Sequence, residues 1–211
     1  MNRTGRLLIA AVIVVVAVAG AALTMVGFAR ARAGAPAASA TLRLADGREI
    51  GHVDFYDGHP GTLVRASIEL PDKASVTTAA FHGFHIHAND DATNGNNCVA
   101  DASQPASGWF LSADGHFDSH QHKHGTHDGD MSSLYVTAGG RATLEFRTER
   151  VAPADLARRV VIVHAGPDNF GNVPVGPSPQ QYTPNSAAAT EATQKTGNSG
   201  DRIACGVIEP R

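Results

Sequence analysis

From Thr41 onward, short runs of apolar residues are interrupted by turn-forming clusters. In Leu63-Val64-Arg65-Ala66-Ser67-Ile68-Glu69-Leu70 and in Ala142-Thr143-Leu144-Glu145-Phe146, apolar and polar side chains alternate. That period of two is the signature of a half-buried strand. Strands are predicted over 41–44, 51–56, 63–70, 84–87, 134–137, 142–147, 160–164 and 203–208. Asp46-Gly47, Asp57-Gly58 and Gly139-Gly140 punctuate them, as tight turns require. About eight short antiparallel strands imply an all-β Greek-key barrel or sandwich. One or two helical turns are expected at 153–159. Two long segments lack strand character: 88–130, rich in histidine, and 166–201, rich in Gly, Pro, Ser, Asn and Ala. Long loops in a compact β domain are commonly functional, so the first is read as organised by metal. No chemistry is assigned to 186–200.

The first 40 residues follow another pattern. Arg3 and Arg6 precede an uncharged stretch at 7–29, and Arg30 and Arg32 follow it. This reads as a secretory signal peptide or an N-terminal membrane anchor. The stretch reaches the ~20 residues needed to cross a bilayer, whereas Ala38-Ser39-Ala40 offers a small-residue cleavage site. Export to the cell envelope or beyond is expected either way. The folded domain is expected at 41–211, after a linker at 33–40.

Charge narrows the function. The whole chain carries a net −3, and setting aside the four arginines of residues 1–40 leaves −7. An acidic body argues against nucleic acid as a partner. Both cysteines, Cys98 and Cys205, lie in the exported part. In an oxidising compartment two distant cysteines read as a disulfide rather than a metal pair, with two buried thiols as the alternative.

All eleven histidines lie beyond residue 51, nine of them between His82 and His164. His85 and His87 flank Ile86, so on a strand both imidazoles project from one face, as two ligands of one metal would. His116-Phe117-Asp118, His124 and His127-Asp128-Gly129-Asp130 gather nitrogen and carboxylate donors in a compact loop, and three histidines with one aspartate would suit Zn²⁺ in closed tetrahedral coordination. His164 ends the apolar run Val160-Val161-Ile162-Val163; alone it would read as the end of a strand.

Taken in order, these segments resemble the copper–zinc superoxide dismutases, in particular the bacterial exported, actinobacterial-like branch. The resemblance is carried by Gly83-Phe84-His85-Ile86-His87, Gly115-His116-Phe117-Asp118, Lys123-His124-Gly125, His127-Asp128-Gly129-Asp130, Val161-Ile162-Val163-His164 and Arg202-Ile203-Ala204-Cys205-Gly206-Val207-Ile208. It implies an eight-stranded, immunoglobulin-like Greek-key fold with long metal-binding loops. It implies copper held by His85, His87, His116 and His164, and zinc held by His116, His124, His127 and Asp130. His116 would bridge the two metals and take part in catalysis. Asp168 would orient a copper and a zinc histidine, and Arg202 would attract superoxide, the substrate. Cys98 and Cys205 would form the family's intrasubunit disulfide, and His82 would lie behind the site. A homodimer is compatible with the resemblance.

This chain departs from the family pattern in five places. The stretches from His87 to Cys98 and from Cys98 to His116 are longer. Only Gly125 and Thr126 separate His124 from His127, which predicts a tight zinc loop. The loop after His164 lacks the charged character of the guiding loop in eukaryotic members. His120 and His122 are additional: they substitute for His124, bind a spare metal or are simply solvated. A non-catalytic copper- or zinc-binding module on the same fold is the alternative function. It could dispense with part of the copper set or with Arg202, and this sequence keeps both.

Overall fold

The computed structural model describes residues 34–71, 74, 76–171 and 187–211; the leader expected at 7–29 lies outside them. Among these residues nine strands form: β1 (Ala38–Leu44), β2 (Glu49–Asp57), β3 (Thr62–Glu69), β4 (Ala80–His82), β5 (Phe84–His87), β6 (Leu134–Val136), β7 (Arg141–Thr148), β8 (Val160–His164) and β9 (Arg202–Pro210). All eight expected strands are present. The ninth, β4, is three residues long and pairs only with β6, too short to show a period.

Seven strands make one antiparallel sheet in the order β5-β8-β9-β1-β2-β3-β7, and β4 and β6 make a second. Hairpins join β1 to β2 and β2 to β3, whereas β5 and β8 meet across a long connection, as Greek-key topology requires. Alternation places Leu42, Val53, Phe55, Val64, Ile68, Phe84, Ile86, Val161 and Val163 in one buried apolar core, joined by Leu134 and Val136 of the small sheet.

Strand β1 begins three residues before the expected domain boundary. Ala38, Ser39 and Ala40 pair with Phe55, Asp54 and Val53 on one side and with Pro210, Glu209 and Ile208 on the other. Ala38 and Ala40 are 1% exposed. The expected cleavage motif is therefore part of a central strand, whose small side chains fit where neighbouring strands crowd.

Two further differences lie in the loops. The helical turn expected at 153–159 is a shorter 3₁₀ turn, Pro153–Leu156. Segment 186–200 contains a helix, α1 (Ala187–Thr196). With only Ala189 and Thr193 buried, α1 has almost no apolar stripe by which a sequence pattern could reveal it.

Candidate metal centre

The centre lies on the face of β5 and β8 that points away from the main core. Phe84 and Ile86 of β5 turn inward, so the period of two sends His85 and His87 outward together. In β8, Val161 and Val163 face the core, while Val160 and Ile162 pack outward against Phe110, Ala113 and Cys205. His164, two residues beyond Ile162, falls on the same outward face by the period of two and so joins β5's histidines; a register shift between Val163 and His164 sets it opposite Arg202 of β9.

The histidine-rich loop docks onto β5 by backbone pairing. His85 bridges to Asp130 and His87 to His116. Between them the Ile86 N–H donates to Gly129 O and the Ile86 carbonyl accepts from Phe117 N, both at 2.8 Å. A Cβ on Gly129 would lie 2.2 Å from Ile86 O, so only glycine permits this approach. The disulfide Cys98–Cys205 ties the same loop to β9.

Two donor groups result. In the first, His85, His87, His116 and His164 offer ring nitrogens within 4.8 Å of one another, all four from buried residues. His87 Nε2 and His164 Nε2 are 3.4 Å apart. In the second, His85, His116, His124 and Asp130 also converge within 4.8 Å. His127 belongs with it, since its Nδ1 is 3.3 Å from both His116 Nδ1 and Asp130 Oδ1. His124 Nδ1 also lies 3.3 Å from Asp130 Oδ1, and His116 Nδ1 lies 2.8 Å from it. Tetrahedral zinc with ligands at 2.0–2.1 Å separates its donors by about 3.3 Å. The second group therefore has the dimensions of a zinc site.

The ring nitrogens divide accordingly. His85 Nδ1, His116 Nε2 and His124 Nδ1 are buried without a hydrogen-bond partner, a condition that costs about 1–3 kcal/mol each unless something binds there. Their opposite nitrogens are committed. His85 Nε2 and His124 Nε2 donate to the two oxygens of Asp168, each at 2.8 Å. His87 Nδ1 donates to Asp114 O at 2.8 Å and His164 Nδ1 to Gly200 O at 3.0 Å. These partners fix the tautomer and aim the free nitrogen. His116 alone turns one nitrogen toward each group.

Electrostatics favour cation binding. Burial pushes His87 and His164 well below the ordinary imidazole range, helped by the histidines around them and by Arg202. Burial also lowers His85, and it brings His116 down to about 3. These rings stay neutral, the form that binds metal. Burial would lower His124 too, but Asp130 and Asp168 outweigh it and raise it to about 9. Burial opposes ionisation of both carboxylates. The nearby imidazoles of His116, His124 and His127 prevail at Asp130, and bonds from His124, His85 and Phe170 N–H prevail at Asp168, so both are held below the usual carboxylate range.

The short spacing between His124 and His127 is accommodated by a turn. Gly125 takes φ +90°, which glycine adopts without steric cost, and Thr126 N–H donates to Lys123 O at 3.0 Å. Arg150 spans the turn, donating to His127 O at 3.2 Å and Gly125 O at 3.0 Å. Arg202 donates from Nη1 to Phe110 O and from Nη2 to Asp114 O. His82 lies behind the site, its ring 2.7 Å from His164 O and 2.9 Å from Thr77 O. His120 and His122 stand apart from both groups, on the solvent side of the loop.

Several contributors have no sequence signal. Asp114 and Gly200 act through carbonyls, which every residue carries. Gly197 ends α1 at φ +59° and returns its N–H to Thr193 O at 3.0 Å, as a left-handed cap does. A Cβ there would lie 1.9 Å from Asp168 Oδ1 and 2.5 Å from His124 Nε2. The helix also holds the loop through Gln194 O, which accepts from His124 N–H at 3.2 Å. Gly and Asn after an Ala-rich run was the available hint.

Residues 50–208 match the family model for copper/zinc superoxide dismutase (SODC). The chain belongs to the copper/zinc superoxide dismutase family. The Cu-Zn superoxide dismutase of Mycolicibacterium paratuberculosis is 33% identical over 188 residues, 84% of this chain and 76% of that protein. The Mycobacterium tuberculosis protein of the same description is 32% identical over 185 residues, 83% of this chain and 71% of that protein. These relatives support the actinobacterial-like branch. Among solved structures, the Cu/Zn superoxide dismutase from Brucella abortus superposes with a TM-score of 0.55 at 24% identity, covering 81% of this chain and 98% of that one. That likeness is one of fold, and it agrees with the expected barrel or sandwich. The family's copper and zinc are the metals for which the two histidine groups are suited.

Proposed function

We propose that the chain disproportionates superoxide, two anions and two protons giving one O₂ and one hydrogen peroxide. We assign copper to His85 Nδ1, His87, His116 Nε2 and His164, and zinc to Nδ1 of His116, His124 and His127 with Asp130. What supports this is His116, with one nitrogen 2.8 Å from Asp130 in the acidic group and the other buried and unpartnered beside the four-histidine group. Bound copper supplies one-electron exchange and bound zinc a positive charge on the far side of the shared imidazole.

The chain's residues supply the rest. His116 Nε2 would hold copper in one half of the cycle and, in the other, one of the two protons that peroxide needs, the second coming from water. Asp168 holds His85 and His124 in fixed orientation. Arg202 presents a cation to an incoming anion and is itself fixed by two carbonyls, so it need not reorganise. A body of net charge −7 repels superoxide on average, which makes this local positive focus necessary. A non-catalytic metal-binding module would have no use for Arg202 in this position. We further place the protein outside the cytoplasm, on the uncharged apolar stretch at 7–29 and the Cys98–Cys205 disulfide, a bond that persists in oxidising compartments.

A copper titration of the zinc-loaded protein tests the function. Superoxide removal should rise in proportion to bound copper and level off when the four-histidine site is full. Removal that stays at the spontaneous rate while copper binds would contradict the assignment.

A further inference from the structure

His120 and His122 belong to neither buried group, yet they do not point independently into solvent. Gln121 between them has φ +58°, and this left-handed turn brings the two rings to 5.3 Å between centroids. Asp118 and Asp128 converge on the same spot from the two limbs of the loop. His122 Nδ1 is 2.8 Å from Asp118 Oδ1, and His120 Nδ1 is 3.6 Å from Asp128 Oδ2. All four side chains offer a donor atom within 4.8 Å of the others.

The arrangement is layered. The Asp118 and Asp128 side chains are 11% and 10% exposed, whereas those of His122 and His120 are 42% and 68% exposed. Two carboxylates thus form a floor and two imidazoles a rim that can adjust. Ser119 steadies the floor, donating N–H and Oγ–H to Asp128 Oδ2, and its Oγ lies 2.7 Å from His120 Nδ1. Asp118 is aligned by the His122 N–H. The two donor separations, 2.8 and 3.6 Å, bracket the about 3.3 Å spacing of a tetrahedral zinc shell. Two imidazoles with two carboxylates suit a divalent ion of the zinc and copper type, and are too nitrogen-rich for magnesium or calcium.

We propose that Asp118, His120, His122 and Asp128 form a third, solvent-accessible metal site that takes Zn²⁺ or Cu²⁺. It lies on the loop that carries His116, His124 and His127, with Asp128 next to His127 in sequence. An ion bound here clips the two limbs of that loop together from outside. Facing solvent, the site exchanges its ion more readily than the buried pair does.

The test is zinc content per chain after equilibrium dialysis of the copper- and zinc-loaded protein against micromolar free Zn²⁺. It compares the natural sequence, the double variant His120→Gln/His122→Gln, and a control, His52→Gln/His59→Gln, which removes two exposed histidines elsewhere. The first variant should bind one equivalent less than the natural sequence, and the control should bind the same amount. The difference is independent of how the buried pair is filled, so failure of the dismutase assignment would not mimic it. Equal zinc in the natural sequence and the His120/His122 variant overturns the proposal, as does an equal loss in the control.

Discussion

Replacing Gly197 by alanine probes how far the geometry around Asp168 governs the metals. Two costs are readable from the structure. Alanine at φ +59° carries about 1–2 kcal/mol of left-handed backbone strain. Its Cβ would sit 1.9 Å from Asp168 Oδ1, so the carboxylate or the end of α1 must move and the bond to His124 Nε2 is broken. A charge-assisted hydrogen bond of this kind contributes about 1.5–3 kcal/mol. The first cost appears in stability, the second in metal binding. Loss of an outer partner lowers metal affinity about 10–100-fold, or about 1.4–2.8 kcal/mol, which matches one such bond. Chelator competition measures the zinc affinity, and urea unfolding of the metal-free protein measures the stability. Gly95→Ala is the control: φ there is +92° with nothing within 4 Å of a new Cβ, so it carries the backbone cost alone. Zinc affinity in Gly197→Ala within twofold of the natural sequence would refute the reasoning, as would an equal loss in Gly95→Ala.

Three further outcomes are expected. Arg202→Ala should lower the superoxide rate constant about 10-fold or more and flatten its dependence on ionic strength, as loss of a steering charge does; an unchanged salt profile measured by pulse radiolysis would remove Arg202 from that role. The metal-free domain should lose stability as pH falls below about 6.5, because His85, His87, His116 and His164 are held neutral in the fold and take up protons when unfolded. Each contributes up to about 1.4 kcal/mol per pH unit while it titrates. His124 acts in the opposite sense: its share is complete below about 6.5 and is lost as pH rises through about 9. Urea midpoints from pH 9 to 4 should therefore peak near neutrality with the steeper fall on the acid side, and a flat profile would contradict this. A domain beginning at Thr41 should be less stable than one beginning at Gly34, by about 0.5–1.5 kcal/mol for each ladder hydrogen bond lost with Ala38–Ala40. Any processed N-terminus should accordingly lie at or before Ala37, as sequencing of the exported protein can establish.

What could be read from the chain depended on how locally each feature is encoded. The alternation in 63–70 and the His-x-His of β5 depend only on the two-residue period of a strand, and both appear in the fold. His164 could be placed at the end of an apolar run, but its meeting with β5's histidines arises from the pairing of β8 with β5, which no local pattern announces. The tight zinc loop was legible in the spacing of His124 and His127, whereas the Arg150 clamp that holds it comes from a residue 23 positions beyond His127. α1 was missed because a helix with only one alanine and one threonine buried has no stripe to detect. The partners of His87 and His164 were missed because they are main-chain carbonyls. The acidic pair that accompanies His120 and His122 was visible as letters, but its convergence needed the fold.

The central claim is that one shared imidazole joins a copper and a zinc position into a dismutase centre. Pulse radiolysis of the protein with both metals bound tests it most directly. A second-order rate constant on the order of 10⁸–10⁹ M⁻¹s⁻¹ is predicted, with His116→Ala losing both the rate and tight metal binding. Superoxide decaying no faster than in buffer, with copper and zinc both present on the protein, would contradict the account.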